Sequence, residues 1–262
     1  MNAIAVIPAR YASTRFPGKP LARETGKYII QHVYEQVARA TSISRTIVAT
    51  DDERIFRAVQ SFGGGVVMTR ADHPSGTDRV AEAVADSDAD VVVNVQGDEP
   101  EIEPADIDQL VALLSSRPDV PMGTLACPFP VGGDPADPNA VKVVLDTRGR
   151  ALYFSRSLIP FPREAAGRAA VSGPRGAVAA HSEPIGSPPA WLLHIGIYAY
   201  RRPFLLSLAK LPPTPLEQIE RLEQLRALEH GYSIAVAIVE RAAIGIDTPE
   251  DYAAFVRRAG AK

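Results

Sequence analysis

IAVIPARYASTRFPGKPL, residues 4–21, opens on a short apolar run, Ile4-Ala5-Val6-Ile7, and ends in a cationic turn. Four apolar residues bounded by Pro8 suit a strand buried on both faces of a parallel sheet. The chain leaves that strand carrying Arg10, Arg15 and Lys19, spaced by small residues and a Pro17-Gly18 turn. In open α/β sheets, ligands sit beyond the carboxyl ends of the strands. Three cations there, with no acid among them, suit a polyanion: a nucleoside triphosphate carries roughly four negative charges, and Arg forks and a Lys point charge match phosphate. A solvated basic loop has the same spacing, so the surrounding segments must decide between the two.

Outward from that stretch, the chain alternates short apolar runs with helical patterns. Lys27 to Thr41 carries Ile29, Ile30, Val33 and Val37 at helical spacing. Arg45 to Thr50 reads as a second buried strand, and Asp51 as the N-cap of a helix to Phe62 that Gly63-Gly64-Gly65 stops. Val66-Val67-Met68 is a third strand, followed by the polar loop Arg70 to Thr77, with Thr77 the expected N-cap of a helix through Ala85. Val91 to Val95 is a fourth strand that opens into Gln96-Gly97-Asp98-Glu99-Pro100, ahead of a helix at Pro104 to Ser115 and a strand at Met122 to Cys127. The alternation predicts an α/β fold around a doubly wound, mostly parallel sheet.

Beyond Pro128 the rhythm changes. Val141 to Asp146 and Ala151 to Ser155 flank a Thr147-Arg148-Gly149-Arg150 turn, which predicts an antiparallel hairpin. Arg163 to Ala190 is rich in Ala, Gly, Pro and Ser and reads as a flexible surface loop. Leu192 to Tyr200 resumes as a strand. Thr214-Pro215-Leu216-Glu217 is a capping box that starts one long helix through Leu228, closed by His230-Gly231. Ser233 to Val239 is the last strand, and Asp247 is the expected cap of a terminal helix through Arg258. No linker divides residues 1–262 into independent domains; about 128–200 reads as a lobe inserted into the main sheet, with the loop 163–190 inside it.

The 262 residues suffice for a sizeable core, and 46% apolar with 23% charged residues is a globular composition. A net charge of -3 gives no support to nucleic-acid binding, so anion binding has to come from local clusters. The single cysteine, Cys127, forms no internal disulfide, which fits a reduced compartment. With no run of membrane-spanning length and no basic segment ahead of the first apolar run, a soluble, cytoplasmic protein without membrane attachment is expected.

Many motifs in one order resemble a known family. They are IPARYASTR (7–15), PGKPL (17–21), VATD (48–51), MTRADH (68–73), SGT (75–77), VNVQGDEP (93–100), NAVKVV (139–144), LYFSR (152–156), HIGIY (194–198), LEQLR (222–226) and DTPED (247–251). Together they resemble the 3-deoxy-manno-octulosonate cytidylyltransferases over nearly the whole chain. The resemblance implies a nucleotide-diphospho-sugar transferase fold, Rossmann-like, with an inserted dimerisation lobe and a homodimer. It implies transfer of CMP from CTP to the anomeric hydroxyl of the acid sugar, with Mg²⁺ and release of pyrophosphate, for lipopolysaccharide synthesis.

By the same resemblance, Arg10, Arg15, Lys19 and Asp98 are the catalytic set, with Lys19 nearest the reacting phosphate. Pro8, Ala9, Arg10, Arg15, Lys19, Ser75, Gly76, Thr77 and Arg79 are the nucleotide positions, Gly76 allowing close backbone approach. Gln96, Arg156, His194, Tyr198, Glu223 and Gln224 are the sugar positions, Arg156 forking onto the substrate carboxylate. Asp98 and Asp247 are the metal positions, in keeping with the habit of Mg²⁺ of using one or two carboxylates plus phosphates and waters. Each has a plainer role open to it: Asp247 as a helix cap, His194 and Tyr198 as core packing, Glu223 and Gln224 as a solvated helix face. Tyr28 stands where the family commonly has proline, Glu229 where an aromatic is frequent, and the 163–190 loop is longer than usual. Rival readings are a cytidylyltransferase for a related ulosonic or amino-substituted acid, and a catalytically silent sugar-nucleotide-binding protein. Lys19-Pro20 speaks against the sialic type, and the absence of G-x-G-x-x-G after the first strand speaks against a dehydrogenase.

Overall fold

The computed structural model describes residues 1–12, 15–130, 132–161 and 191–260; the expected loop at 163–190 lies outside them. Strand β1 (Ala3–Ala9) pairs in parallel with β2 (Ile43–Thr50) on one side and β4 (Val91–Asn94) on the other, and β3 (Val66–Met68) continues beyond β2. Alternate residues of β1 feed two separate cores. Ala3, Ala5, Ile7 and Ala9 pack with α1 (Ile29–Val37), α2 (Glu53–Ser61) and α4 (Pro104–Ser116). Ile4 and Val6 pack with α3 (Gly76–Ala83) and with the C-terminal half of the chain. A strand covered on both faces has no polar side, hence the unbroken apolar run. Each Ile or Val so buried contributes about 1.5–3 kcal/mol.

The other half of the sheet is mixed. It contains β5 (Met122–Pro128), β8 (Leu192–Arg201) and β9 (Ile234–Ile238), and the order across the sheet is β3-β2-β1-β4-β8-β5-β9. β8 runs antiparallel to both β4 and β5, while β5 and β9 are parallel. The hairpin of β6 (Lys142–Leu145) and β7 (Ala151–Ser155) forms as expected, with Gly149 at φ 72° in its turn, and β6 also pairs with the start of β8. The expected extent of the inserted lobe, about 128–200, is therefore corrected at its C-terminal end: β8 is a central strand of the main sheet.

Several helix starts also differ from expectation. Asp52, not Asp51, caps α2, its Oδ1 accepting the Arg54 N–H at 2.9 Å. Ser75, not Thr77, caps α3, its Oγ accepting the Asp78 N–H at 3.3 Å. The single helix expected after Thr214 is two, α6 (Pro215–Glu220) and α7 (Gln224–Glu229), which follow α5 (Arg202–Leu208). The break is at Arg221, whose φ 56° and ψ 47° are left-handed and end an α-helix. Glu217 accepts the Thr214 N–H at 3.2 Å and receives the Arg226 guanidinium at 2.8 and 2.5 Å, which locks α6 to α7.

The terminal helix α8 (Pro249–Gly260) is capped by Thr248, whose Oγ1 accepts the Asp251 N–H at 3.2 Å while Asp251 Oδ2 accepts the Thr248 N–H at 2.9 Å. The cap role expected of Asp247 thus belongs to its neighbour. α8 docks through a third cluster of Ile29, Ile246, Tyr252 and Phe255, against which Phe16 and Ala22 pack. Tyr252 Oη also accepts the Glu24 N–H at 2.6 Å. This packing carries residue 247 across the molecule to the loop after β1. Among the described residues, no helix is long and apolar enough to cross a membrane.

Candidate active site

The loop after β1 turns at Gly18, φ 71°, into a 3-10 turn at Lys19–Leu21 with Pro20 as its second residue. That turn aims Lys19 back across the strand ends. Its Nζ lies 2.7 Å from Asp98 Oδ2, donates to the Ile246 carbonyl at 2.7 Å, and lies 3.7 Å from Asp247 Oδ1. Arg15 adds a second cation to Asp247 at 3.0 Å. The Lys19 side chain is 13% exposed against 31% for Asp98 and 51% for Asp247, so a seated ammonium faces two open carboxylates.

Two backbone features build that meeting. The Ile246 N–H donates to the Asp98 carbonyl at 2.9 Å, joining the two acidic segments. At Gly97 a Cβ would lie 3.1 Å from the Pro8 carbonyl oxygen, so glycine lets the loop after β4 lie against the end of β1.

On the other side of the loop, Arg10 donates to the carbonyls of His73 (2.7 Å) and Ser75 (3.2 Å), joining β1 to the segment that starts α3. His73 in turn is held by Glu82. Pro8 packs beside Gly76, where a Cβ would meet its Cγ at 3.7 Å, an ordinary contact. The Ala9 side chain is buried in the core, so only its main chain is available to a ligand. Arg79 departs from the expected nucleotide role: it is fully buried, its guanidinium on Asp51 at 2.9 Å and on the Thr69 hydroxyl. It braces the loop from within.

Of the expected sugar positions, Tyr198, Glu223 and Gln224 line one small crevice together with Thr77, whose hydroxyl donates to Glu223 Oε2 at 2.7 Å. Gln224 is buried and its Nε2 has no hydrogen-bond partner among the described residues. A buried amide donor left open in this way is a ready contact for a ligand hydroxyl. His194 packs against the rings of Phe154 (4.7 Å) and Tyr198 (5.6 Å), with Nε2 3.0 Å from the Thr124 hydroxyl. Burial pushes its pKa down to about 3, so the imidazole is neutral. Burial, then Tyr200 and Glu223, raise the Tyr198 phenol, keeping it a neutral donor. Gln96 reaches the Gly196 carbonyl at 3.1 Å. Arg156 departs from expectation: its fork is taken up by the carbonyls of Glu220 (2.7 Å), Pro138 (2.9 Å) and Arg221 (3.5 Å). It fastens the left-handed break just ahead of Glu223 instead of standing open to a carboxylate.

The family model for cytidylyltransferases matches residues 4–235. A 3-deoxy-manno-octulosonate cytidylyltransferase of Syntrophotalea carbinolica (strain DSM 2380 / NBRC 103641 / GraBd1) is 54% identical over 251 residues, 96% of this chain and 96% of the relative. One of Geobacter sulfurreducens (strain ATCC 51573 / DSM 12127 / PCA) is 51% identical over 261 residues, again 96% of each. The chain belongs to the 3-deoxy-manno-octulosonate cytidylyltransferase family. A solved structure of CMP:2-keto-3-deoxy-manno-octonic acid synthetase complexed with CTP matches this cytidylyltransferase with a TM-score of 0.87 at 41% identity, covering 100% of this chain and 99% of that one.

Two features of this cytidylyltransferase have no signal in residue spacing. The Ile246 carbonyl, a third oxygen around Lys19, is main chain and carries no side-chain signature. Glu99 has a buried Oε2 without a partner among the described residues, and burial followed by the Asp98 charge pushes its pKa up to about 8. Adjacent acids in Asp98-Glu99 are visible in the sequence, but their division into one open and one buried carboxylate is not. Among the described residues, no group of three or more His, Cys, Asp or Glu side chains is arranged to hold a metal.

Proposed function

We propose that this chain transfers the cytidylyl group of CTP to 3-deoxy-manno-octulosonate and releases pyrophosphate. The observation that carries this reading is the placement of Lys19 between Asp98 and Asp247, at the carboxyl end of β1, in a chain about half identical to relatives of that name. Arg10, Arg15 and Lys19 bind and orient the triphosphate. The anomeric oxygen of the sugar bonds to the α-phosphorus in line as the bond to the β-phosphate breaks. Such a displacement asks the protein for positioning and for cations where charge grows on phosphate oxygens. The crevice of Thr77, Tyr198, Glu223, Gln224 and Arg226, with His194 packed behind the Tyr198 ring, suits a row of sugar hydroxyls.

Asp98 and Asp247 are the residues that would hold Mg²⁺. Two carboxylates converging on one cation, with no third acid grouped with them among the described residues, fit an ion that takes one or two carboxylates and completes its shell with phosphates and water. Bound there, it would neutralise triphosphate charge alongside Lys19. A homodimer with the β6–β7 hairpin in its interface is supported by the exposed apolar side chain of Leu152 on β7 (62%). A cytoplasmic location fits enzymes that consume CTP.

A pyrophosphate-release assay crossing the four nucleoside triphosphates with 3-deoxy-manno-octulosonate, a sialic acid and an amino-substituted ulosonic acid, with and without Mg²⁺, tests the whole reading. Release with CTP and the octulosonate in Mg²⁺ is expected. Release with another pair, and none with this one, would overturn it.

A further inference from the structure

Arg10 and Lys19 stand at the two ends of one loop, and the loop is closed at its neck by their neighbours. The Gly18 N–H donates to the Tyr11 carbonyl at 3.1 Å. Gly18 is at φ 71°, and a Cβ there would lie 3.1 Å from the Tyr11 ring and hydroxyl, so the tyrosine rests directly on the glycine backbone. Over the ring stands Arg54, its guanidinium 3.3 Å from the ring centroid. The same guanidinium is forked onto Asp52, Nε to Oδ1 at 3.0 Å and Nη2 to Oδ2 at 2.6 Å. Asp52 caps α2 and its N–H donates to the Thr50 hydroxyl at 3.2 Å. Thr50 ends β2 in register with Ala9 of β1, the residue before Arg10. A continuous frame therefore runs from the sheet through Asp52 and Arg54 to the Tyr11 ring and the Gly18 turn.

Resting on the CTP reading of this site, we propose that Arg54 is a positioning residue for cytidylyl transfer: stacked on Tyr11 and held by Asp52, it fixes the loop neck that sets the separation of Arg10 and Lys19. An exposed arginine on a tyrosine face is an ordinary surface contact, and its position decides the matter. The ring it covers is the one that seats Gly18, and Gly18 hands the chain directly to Lys19. A small displacement of a phosphate-binding cation is costly in rate when alignment is the main demand of the reaction. Arg54 acts only through the ring, so its effect requires Tyr11.

The test is a double-substitution cycle in the full-length enzyme, read as steady-state kinetics for each substrate together with thermal midpoints. Arg54→Met keeps the aliphatic stem and removes the charge. It should lower kcat/KM for CTP about twofold to fivefold, the share carried by an exposed cation–ring contact, with the KM for the acid sugar and the thermal midpoint unchanged. Tyr11→Ala should cost more, and Tyr11→Phe, which keeps the ring, less than Tyr11→Ala. Adding Arg54→Met to Tyr11→Ala should cost nothing further, since the two residues act as one device. An Arg54→Met enzyme with unaltered CTP kinetics would overturn the inference while leaving the function of the site intact. Full additivity of the two losses would also overturn it. A wild-type enzyme that releases no pyrophosphate from CTP fails the underlying reading instead.

Discussion

Lys19 Nζ lies 2.7 Å from Asp98 Oδ2 and 3.7 Å from Asp247 Oδ1, so one ammonium is shared by carboxylates from distant segments of the chain. Without nucleotide this sharing neutralises two acids that would otherwise repel. In the proposed complex the same ammonium would serve phosphate oxygens, and Asp98 and Asp247 would be the residues to hold a divalent ion.

Asp98→Asn and Asp247→Asn should each raise the Mg²⁺ concentration needed for half-maximal pyrophosphate release, by about tenfold or more for loss of one charged ligand. Titrating Mg²⁺ at saturating CTP reads the effect. An unchanged requirement in both variants would count against metal ligation by this pair.

Asp247 and Thr248 separate by their consequences. Thr248 caps α8, so Thr248→Ala should cost about 1 kcal/mol of stability, seen as a lower urea midpoint. Asp247→Asn should leave that midpoint close to wild type while lowering turnover. A stability loss in Asp247→Asn as large as in Thr248→Ala would return Asp247 to the cap role.

His194 gives a pH dependence of known sign. Its pKa is pushed down to about 3 by burial, against about 6.5 in an unfolded chain. Between those values the unfolded chain binds a proton that the folded chain refuses, so its contribution is complete above about pH 6.5 and is lost as the pH falls toward 3. His194→Gln removes this titration. The variant's urea midpoint should fall less between pH 7 and pH 4.5 than the wild-type midpoint. Equal falls would show that His194 is not held neutral.

Much of the sheet was legible because strands covered on both faces must be apolar throughout: Ile4 to Ile7 and Val91 to Val93 announce themselves. The direction of β8 was not, since Leu192 to Tyr200 carries the same residues whichever way it runs. The leucine spacing after Thr214 predicts one long helix because it continues across Arg221, where only the backbone turns left-handed. Within the site, the residues on the loop after β1 could be argued from charge and spacing. Bringing Asp247 to Lys19 depends on Tyr252, Phe255 and Ile246 packing with Ile29 and Phe16, which no local pattern encodes; family resemblance alone supplied that pairing. The family resemblance assigns Arg79 and Arg156 as ligand contacts, whereas their partners here are Asp51 and main-chain carbonyls.

The most direct test of the central claim is pyrophosphate release from CTP and 3-deoxy-manno-octulosonate by Lys19→Met, measured beside wild type with the thermal midpoint of both. Losing a preorganised cation at the reacting phosphate should lower kcat about 100-fold or more, in a protein that still melts cooperatively near the wild-type temperature. A folded Lys19→Met enzyme turning over at close to the wild-type rate would contradict the account.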